Sequence, residues 1–494
     1  MQNMNQTIFQ FFHWYYPVSD NLWNHAASEA GKLAALGVTQ VWLPPAYKSA
    51  FGAEEPGYAV YDLYDLGEFD QKGSIRTRYG TRQEYQQCIR AFQQENIKVL
   101  ADVVLNHKHG GDETETIHIR RVNPHNRKEF VDGEEELPLP TRFTFPARNG
   151  KYSEYVWDFH SFTGVELQDG IGMIVNEYSN GEWEEMLEDE LGNFDFLMGN
   201  DIEYRNPAVR EELKRWGKWY VETTGVDGFR LDALKHINPG FYPEWLDYLQ
   251  QEFNKTFICI GEYWKHSSAP LLNYIDVTRG MIPLFDVPLH YNFHEASRKR
   301  GEYDLRTLFN NTLTQARPTH AISFVDNHDT QPLQSLESTV DYWFKPHAYA
   351  IILLREQGIP CVFYPALYEA RYVDHKDGQE INIELVKIPG IEEMMKLRAK
   401  FAYGMQRDYF DDPQILGWTR EGAGEYPQSA CAVLVTNGEG GEKKMWLGSR
   451  NAGKQLRSVI GGYEQTLVLD EEGAGNFPVP AMGISVWIDS QATL

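Results

Sequence analysis

Eight short runs of β-forming residues recur along this chain with helix-period stretches between them. That alternation restricts the fold to parallel strands joined by helices. The runs are Thr7–Phe12, Val38–Pro44, Ile97–Asn106, Val226–Asp232, Phe257–Trp264, Ile282–Leu289, Ala321–Asp326 and Ile359–Tyr364. Thr81–Asn96, Pro207–Thr223, Tyr242–Phe253 and His347–Gln357 carry helical spacing. Eight β–α units predict an α/β fold of the (β/α)8 TIM-barrel type. A barrel of parallel strands keeps its chemistry at the C-terminal ends of those strands.

Two stretches depart from the rhythm. The segment from Asn106 to Arg205 separates the third strand from its helix and is rich in Gly, Asp, Glu and aromatic residues. A structureless loop of that size is rare in a compact domain, so an inserted domain over the strand ends is expected. After Gly404 the pattern changes to short alternating runs, Gln414–Thr419, Ala430–Thr436, Lys444–Leu447, Thr466–Leu469 and Ile484–Ile488. These predict a C-terminal antiparallel β-sandwich, with Asn437–Gly441 and Glu471–Gly475 as hairpin loops. The expected division is 1–105 for the first part of the barrel, 106–205 for the insertion, 206–404 for the rest of the barrel and 405–494 for the sandwich.

Three carboxylates end three of the strand runs: Asp232 in VDGFRLDALKH, Glu262 in FICIGEYW and Asp329 in HAISFVDNHDT. Acids converging on one rim, with Arg230, His236 and His328 beside them, suit a reaction that needs a nucleophile and a general acid. Cleavage of a glycosidic bond is one such reaction. The formal net charge of -25 sets the surface against nucleic acid and anionic lipid, so a neutral or cationic partner is expected. Cys88, Cys259, Cys361 and Cys431 form no CxxC pair and are expected as buried, unpaired thiols. The first residues carry no leader pattern and no apolar run reaches membrane-spanning length, so a soluble, cytoplasmic protein is expected.

Four short motifs lie in order on the expected strand ends: Asp102–His107 (DVVLNH), Gly228–His236 (GFRLDALKH), Gly261–Trp264 (GEYW) and Phe324–Asp329 (FVDNHD). In these the chain resembles the α-amylase family of glycoside hydrolases, the family 13 type. Tyr58–Phe69 (YAVYDLYDLGEF) and Phe194–Glu203 (FDFLMGNDIE) make it most similar to the bacterial liquefying and cytoplasmic α-amylases. The resemblance extends over nearly the whole chain.

The resemblance implies roles for these residues, and the local chemistry agrees with several. Asp232 follows Arg230 by two positions, so both side chains share one strand face and the guanidinium holds the carboxylate ionised. Asp232 is the implied nucleophile. Glu262 closes an apolar strand, where a less polar setting raises its pKa and suits an acid/base. Asp329 is the third acid, binding sugar hydroxyls. His107 and His328 are the implied hydrogen-bond donors to the sugar, and Tyr58 the aromatic stacked on it. Gln10 and Arg230 belong to the same substrate-binding set. Lys235 and His236 match the pair on the leaving-group side. Asp102 is expected as a buried partner of Arg230.

The resemblance also implies Ca²⁺, with Asn106, Asp195, Asp201 and the main-chain carbonyl of His236 as ligands; oxygen donors from irregular segments suit that ion. Val165 and Arg205 stand where liquefying relatives place the acids of a linked site. Glu182–Glu190 (EWEEMLEDE) is expected to be a solvated helix face. The implied activity is endo-acting, retaining hydrolysis of α-1,4-glucosidic bonds in starch, glycogen or maltodextrins by a monomer. A transglycosylase or an exo-acting, oligosaccharide-releasing enzyme is the alternative. A non-catalytic barrel is the remote one.

Overall fold

The computed structural model describes residues 5–494. Residues 1–4, where the leader reading begins, lie outside them. Eight parallel strands close into a barrel: Ile8–Gln10, Gln40–Leu43, Lys98–Val103, Gly228–Leu231, Ile258–Gly261, Leu284–Phe285, Ala321–Phe324 and Ile359–Phe363. Each lies inside one of the eight expected runs. The first pairs in parallel with both the second and the eighth, which completes the ring. Nearly every residue of these strands is buried, as befits strands covered on both faces.

The helices begin and end where local chemistry directs. Thr81 caps Arg82–Gln94 with a reciprocal capping box to Glu84. Asn206 caps Pro207–Thr224, Pro207 takes the first helical position, and Gly225 ends the helix in the left-handed conformation. Gly228 opens the fourth strand where a Cβ would stand 2.0 Å from the Ile258 carbonyl, so only glycine lets these neighbouring strands close.

After the third strand the chain builds a separate six-stranded sheet. It joins His107–Lys108, Glu113–Asn123, Asn126–Arg142, Phe162–Leu167, Gly170–Ile174 and Asn200–Ile202. Its strand Asn200–Ile202 returns to pair with His107–Lys108, setting Asp201 opposite His107 at the barrel mouth.

The C-terminal region is antiparallel. Gln406–Tyr409, Ile415–Arg420, Cys431–Thr436, Gln455–Ile460, Leu467–Val468 and Ile484–Asp489 form one sheet, and Gly441–Trp446 pairs with Ala474–Val479 in another. Between the two lies a core that includes Leu434, Met445, Phe477 and Trp487. Asn437–Gly441 is not a hairpin loop as expected, because the strands on either side of it belong to different sheets. The chain crosses the sandwich there.

An element absent from the expectations follows the eighth strand, an antiparallel ribbon of Ala370–Lys376 and Gln379–Leu385. Its turn is Asp377–Gly378, both at positive φ, 53° and 75°. That is the Asp-Gly signature of a two-residue hairpin. All four cysteines are free and buried. Among the described residues no helix is long and apolar enough to cross a membrane.

Candidate active site

Register explains the centre of the site. Arg230 and Asp102 are direct partners on the adjacent fourth and third strands, so both side chains enter the barrel on the same side. Arg230 is fully buried, and Nη1 donates to Asp102 Oδ1 at 2.9 Å and to Asp232 Oδ1 at 2.5 Å. Nη2 donates to Glu262 Oε2. One guanidinium thus gathers three carboxylates from three strands. Asp102 is fixed further by Trp42 Nε1 and Tyr58 Oη, both 2.9 Å from its other oxygen.

Asp329 joins this group from the seventh strand. His328 Nε2 lies 3.3 Å from Asp329 Oδ2. Gln10 Nε2 donates to His328 Nδ1 at 3.1 Å, which leaves the imidazole proton on Nε2, facing Asp329. Burial, and then the charge of Arg230, hold His328 well below the usual histidine range, so it stays neutral.

The acids differ in their electrostatics. Burial pushes Glu262 well above the ordinary glutamic acid range; Arg230 opposes this and Asp232 and Asp329 add to it. Burial raises Asp329 to about 7, against Arg230 and with Asp232. Asp102 rises to about 6, again by burial first and with Arg230 opposing.

A cavity of about 960 Å³ opens over these groups, lined by Asp232, Glu262 and Asp329 together with Tyr58, His107, Lys235 and His236. Trp14 is also on this wall and was not anticipated. Its ring lies parallel to Tyr58, centroids 5.5 Å apart, and Tyr58 lies parallel to His328 at 5.2 Å. Trp14 follows the first strand run by two residues, and that position is the signal that marks it. A second cavity, of about 810 Å³ beside Phe130 and Trp183, contains none of the three acids at the strand ends.

Several of the expected site residues are engaged by other protein groups. Gln10, Arg230 and His328 do not line the cavity. They are buried behind it, Arg230 in contact with Asp102, Asp232 and Glu262, and Gln10 with His328, which reaches Asp329. Both ring nitrogens of His107 are taken, Nε2 by the Tyr58 carbonyl at 2.9 Å and Nδ1 by Asn106 at 3.2 Å. No ring N–H is left for a sugar in this arrangement, and His107 instead holds Tyr58. His236 Nδ1 donates to the Phe194 carbonyl at 2.7 Å, so its side chain ties the insertion to the barrel.

Glu182–Glu190 is not a helix. Glu184 is buried and accepts from Tyr204 N and from Asn238 Nδ2. It joins Asp195 and Asp201, also buried. Burial pushes all three carboxyls up and each is raised further by a neighbouring acid; Asp195 reaches about 7. Asn106 Nδ2 donates to Asp201 Oδ1 at 3.3 Å, while Asn106 Oδ1 is buried without a hydrogen-bond partner. Crowded anions beside an unpartnered amide oxygen fit a hard cation. Among the described residues no three His, Cys, Asp or Glu converge as a metal-binding group by themselves. A cation here therefore also needs Asn106 and main-chain oxygens. Arg205 grips both oxygens of Glu203 at 2.7 Å, which supplies a positive charge from the protein on that side.

Comparison with known proteins matches residues 31–428 to the model described as alpha amylase, catalytic domain, and residues 432–488 to the alpha-amylase C-terminal model. The cytoplasmic alpha-amylase of Escherichia coli (strain K12) is 46% identical over 490 residues, covering 98% of this chain and 99% of that protein. An alpha-amylase of Geobacillus stearothermophilus is 44% identical, over 99% of this chain and 88% of its own length. The crystal structure of an alpha-amylase from Geobacillus thermoleovorans, complexed with acarbose, superposes with a TM-score of 0.65 at 18% identity and covers 99% of this chain and 98% of its own.

Proposed function

Because this chain belongs to the alpha-amylase family of glycoside hydrolases, we propose that it hydrolyses internal α-1,4-glucosidic bonds of starch, glycogen or maltodextrins with retention of configuration. The observation that carries the reading is the single buried guanidinium of Arg230, which sets Asp232 and Glu262 side by side on the cavity floor.

Two carboxyl groups in different settings divide the chemistry. Asp232, hydrogen-bonded to Arg230, attacks the anomeric carbon. Glu262, raised by burial, gives its proton to the departing glycosidic oxygen. The glycosyl-enzyme that forms is then opened by water, from which Glu262 takes the proton, and the second inversion restores the α configuration. Asp329, beside the neutral His328, holds sugar hydroxyls during the distortion. Tyr58 and Trp14 offer an aromatic face to the sugar ring.

The same reading takes Ca²⁺ at Asn106, Asp195 and Asp201, completed by main-chain oxygens that include the His236 carbonyl. When bound, the ion supplies the positive charge that these crowded carboxylates lack and joins the insertion to the barrel. We also propose the division at 105/106, 205/206 and 404/405, a monomer, a cytoplasmic location, and no nucleic-acid or membrane partner. The 46% identity to a protein named for the cytoplasm supports the location.

Timed chromatography of products from soluble starch tests the activity. Mixed mid-length products appearing early, together with α-anomers by proton NMR, are the expected result. A single short product released from the first minutes favours the exo-acting alternative, and a β-anomer excludes the double displacement.

A further inference from the structure

The ribbon that follows the eighth strand has no part in the chemistry above, yet it rests on the back of the cleft. Tyr372 of the ribbon lies parallel to Tyr15, ring centroids 4.0 Å apart, and its Oη donates to the Pro332 carbonyl at 2.9 Å. Tyr15 follows Trp14 after the first strand, and Pro332 lies three residues beyond Asp329 after the seventh. Trp14, Asp329 and Gln334 line the main cavity. One hairpin thus holds two loops of the cleft from behind.

A line of hydrogen bonds runs from the ribbon to the cavity. Tyr15 Oη donates to Asp374 Oδ2, and Gln334 Nε2 donates to Tyr15 Oη at 2.8 Å. The count of protons fixes both directions. An ionised carboxylate only accepts, and a tyrosine hydroxyl has one proton to give. The bond from Tyr15 lowers Asp374 below the usual carboxylate range, which keeps the carboxylate charged. Tyr15 therefore gives its proton to Asp374 and accepts from Gln334.

That bookkeeping leaves the Gln334 amide one orientation. A carboxamide has nearly the same shape in its two flipped states, so its hydrogen bonds decide between them. Here Nε2 is turned to Tyr15, and Oε1 is the branch left over for the cavity that Gln334 lines. A Tyr15 free of Asp374 could donate to Oε1 instead, and the amide would then turn its NH2 away from Tyr15.

We propose that Asp374 and Tyr15 are positioning residues that set the polarity of Gln334, holding its amide oxygen as the acceptor offered to a sugar hydroxyl. The inference rests on the α-glucan reading. Asp374 and Tyr15 act from outside the cavity, whose lining includes Gln334 but not them. Hydroxyls bonded in a chain have a set direction, so a reversed amide does not simply exchange roles with the sugar.

The experiment compares maltoheptaose binding and turnover in Asp374→Ala, Tyr15→Phe, Gln334→Glu and the double variant Asp374→Ala/Gln334→Glu. Binding is measured by calorimetry in the inactive Asp232→Asn background, and kcat and KM in the active protein. Asp374→Ala and Tyr15→Phe are each expected to weaken binding and raise KM about three- to tenfold, the size of one hydrogen bond, with kcat within about twofold. Gln334→Glu alone sets two carboxylates against one tyrosine proton and should lose a similar amount. With Asp374 removed as well, Tyr15 donates to the new carboxylate, whose second oxygen is again an acceptor. The double variant should therefore return to within about twofold of wild type. A ribbon that served only as packing would give losses that add. Additive losses, or no loss in Asp374→Ala and Tyr15→Phe, overturn the inference alone. Should Asp374→Ala not fold, Tyr15→Phe, which keeps its ring on Tyr372, supplies the same reading. Maltoheptaose that wild-type protein does not cleave and the Asp232→Asn background does not bind overturns the α-glucan reading and this inference with it.

Discussion

Arg230 Nη1 lies 2.5 Å from Asp232 Oδ1, with only Leu231 between the two residues in the chain. Alternation along an extended strand brings both side chains to the barrel interior. The pairing is therefore local, and it orients one carboxylate oxygen on the guanidinium while leaving the carboxylate on the cavity wall.

That arrangement makes Asp232 the expected nucleophile. Asp232→Asn should reduce turnover of starch by at least about 10³-fold, since no glycosyl-enzyme forms without the carboxylate. The amide oxygen can still accept from Arg230, and Asp102 and Glu262 remain as its anionic partners, so the variant should still fold. Substantial residual turnover in folded, purified variant protein would remove the assignment.

Glu262 should govern the alkaline side of the pH profile. An acid catalyst works only while protonated, and burial raises Glu262, so its active form persists above the usual carboxyl range. Activity is then lost as pH climbs through the raised value. Asp329, at about 7, titrates in the same cluster, so the limb belongs to the coupled set. Glu262→Gln should cost about 10²–10⁴ in kcat on starch. The loss should be smaller on an aryl glycoside whose leaving group needs no proton, and the alkaline limb on that substrate should flatten. Equal losses on both substrates would argue against Glu262 as the proton donor.

Asp102 has no direct part in bond cleavage but anchors three donors. Asp102→Asn leaves the Arg230 charge with one fewer buried anion, and weakens the contacts with Trp42 and Tyr58. Breaking a buried pair costs about 3–5 kcal/mol. A clear fall in thermal midpoint and in kcat is expected. An unchanged midpoint would show that the network tolerates the loss of this anion.

Calcium should stabilise the protein and support its activity together. An ion that binds only the folded form adds about 2.7 kcal/mol at a hundredfold excess over its dissociation constant. Chelation should lower the melting temperature and the rate, and Asp201→Asn should weaken the response to added calcium much more than a change at exposed Glu185. A chelated protein, metal-free by elemental analysis, that keeps its full midpoint and rate would exclude the ion.

The barrel and the acids at its strand ends were legible because both depend on short-range order. Apolar runs of four to six residues mark buried strands through their side chains alone. The Arg230–Asp232 pair is likewise set by one alternation. The ribbon Ala370–Leu385 is written in the alternation flanking Asp377–Gly378, a weaker signal than the apolar barrel runs because its side chains are largely exposed.

Other features required chain segments far apart in sequence to meet. Glu184 looked like one solvated charge in an acidic run, yet it is buried against Tyr204 and Asn238. His107 looked free to bind a sugar, yet the Tyr58 carbonyl takes its Nε2. Nothing in the local pattern marks such exchanges, because a polar side chain satisfies itself with whatever the folded neighbourhood supplies.

By itself, then, the sequence determined the elements, their order and the acids that end the strands, since periodicity and two-residue spacing act within a single element. Only the tertiary structure decided that Asp102, Asp232 and Glu262 share one guanidinium, and that Glu190 reaches Lys235 and Lys265. Barrel closure aligns the register of neighbouring strands, and the inserted sheet returns over the barrel mouth. Both bring together charges that no local spacing relates.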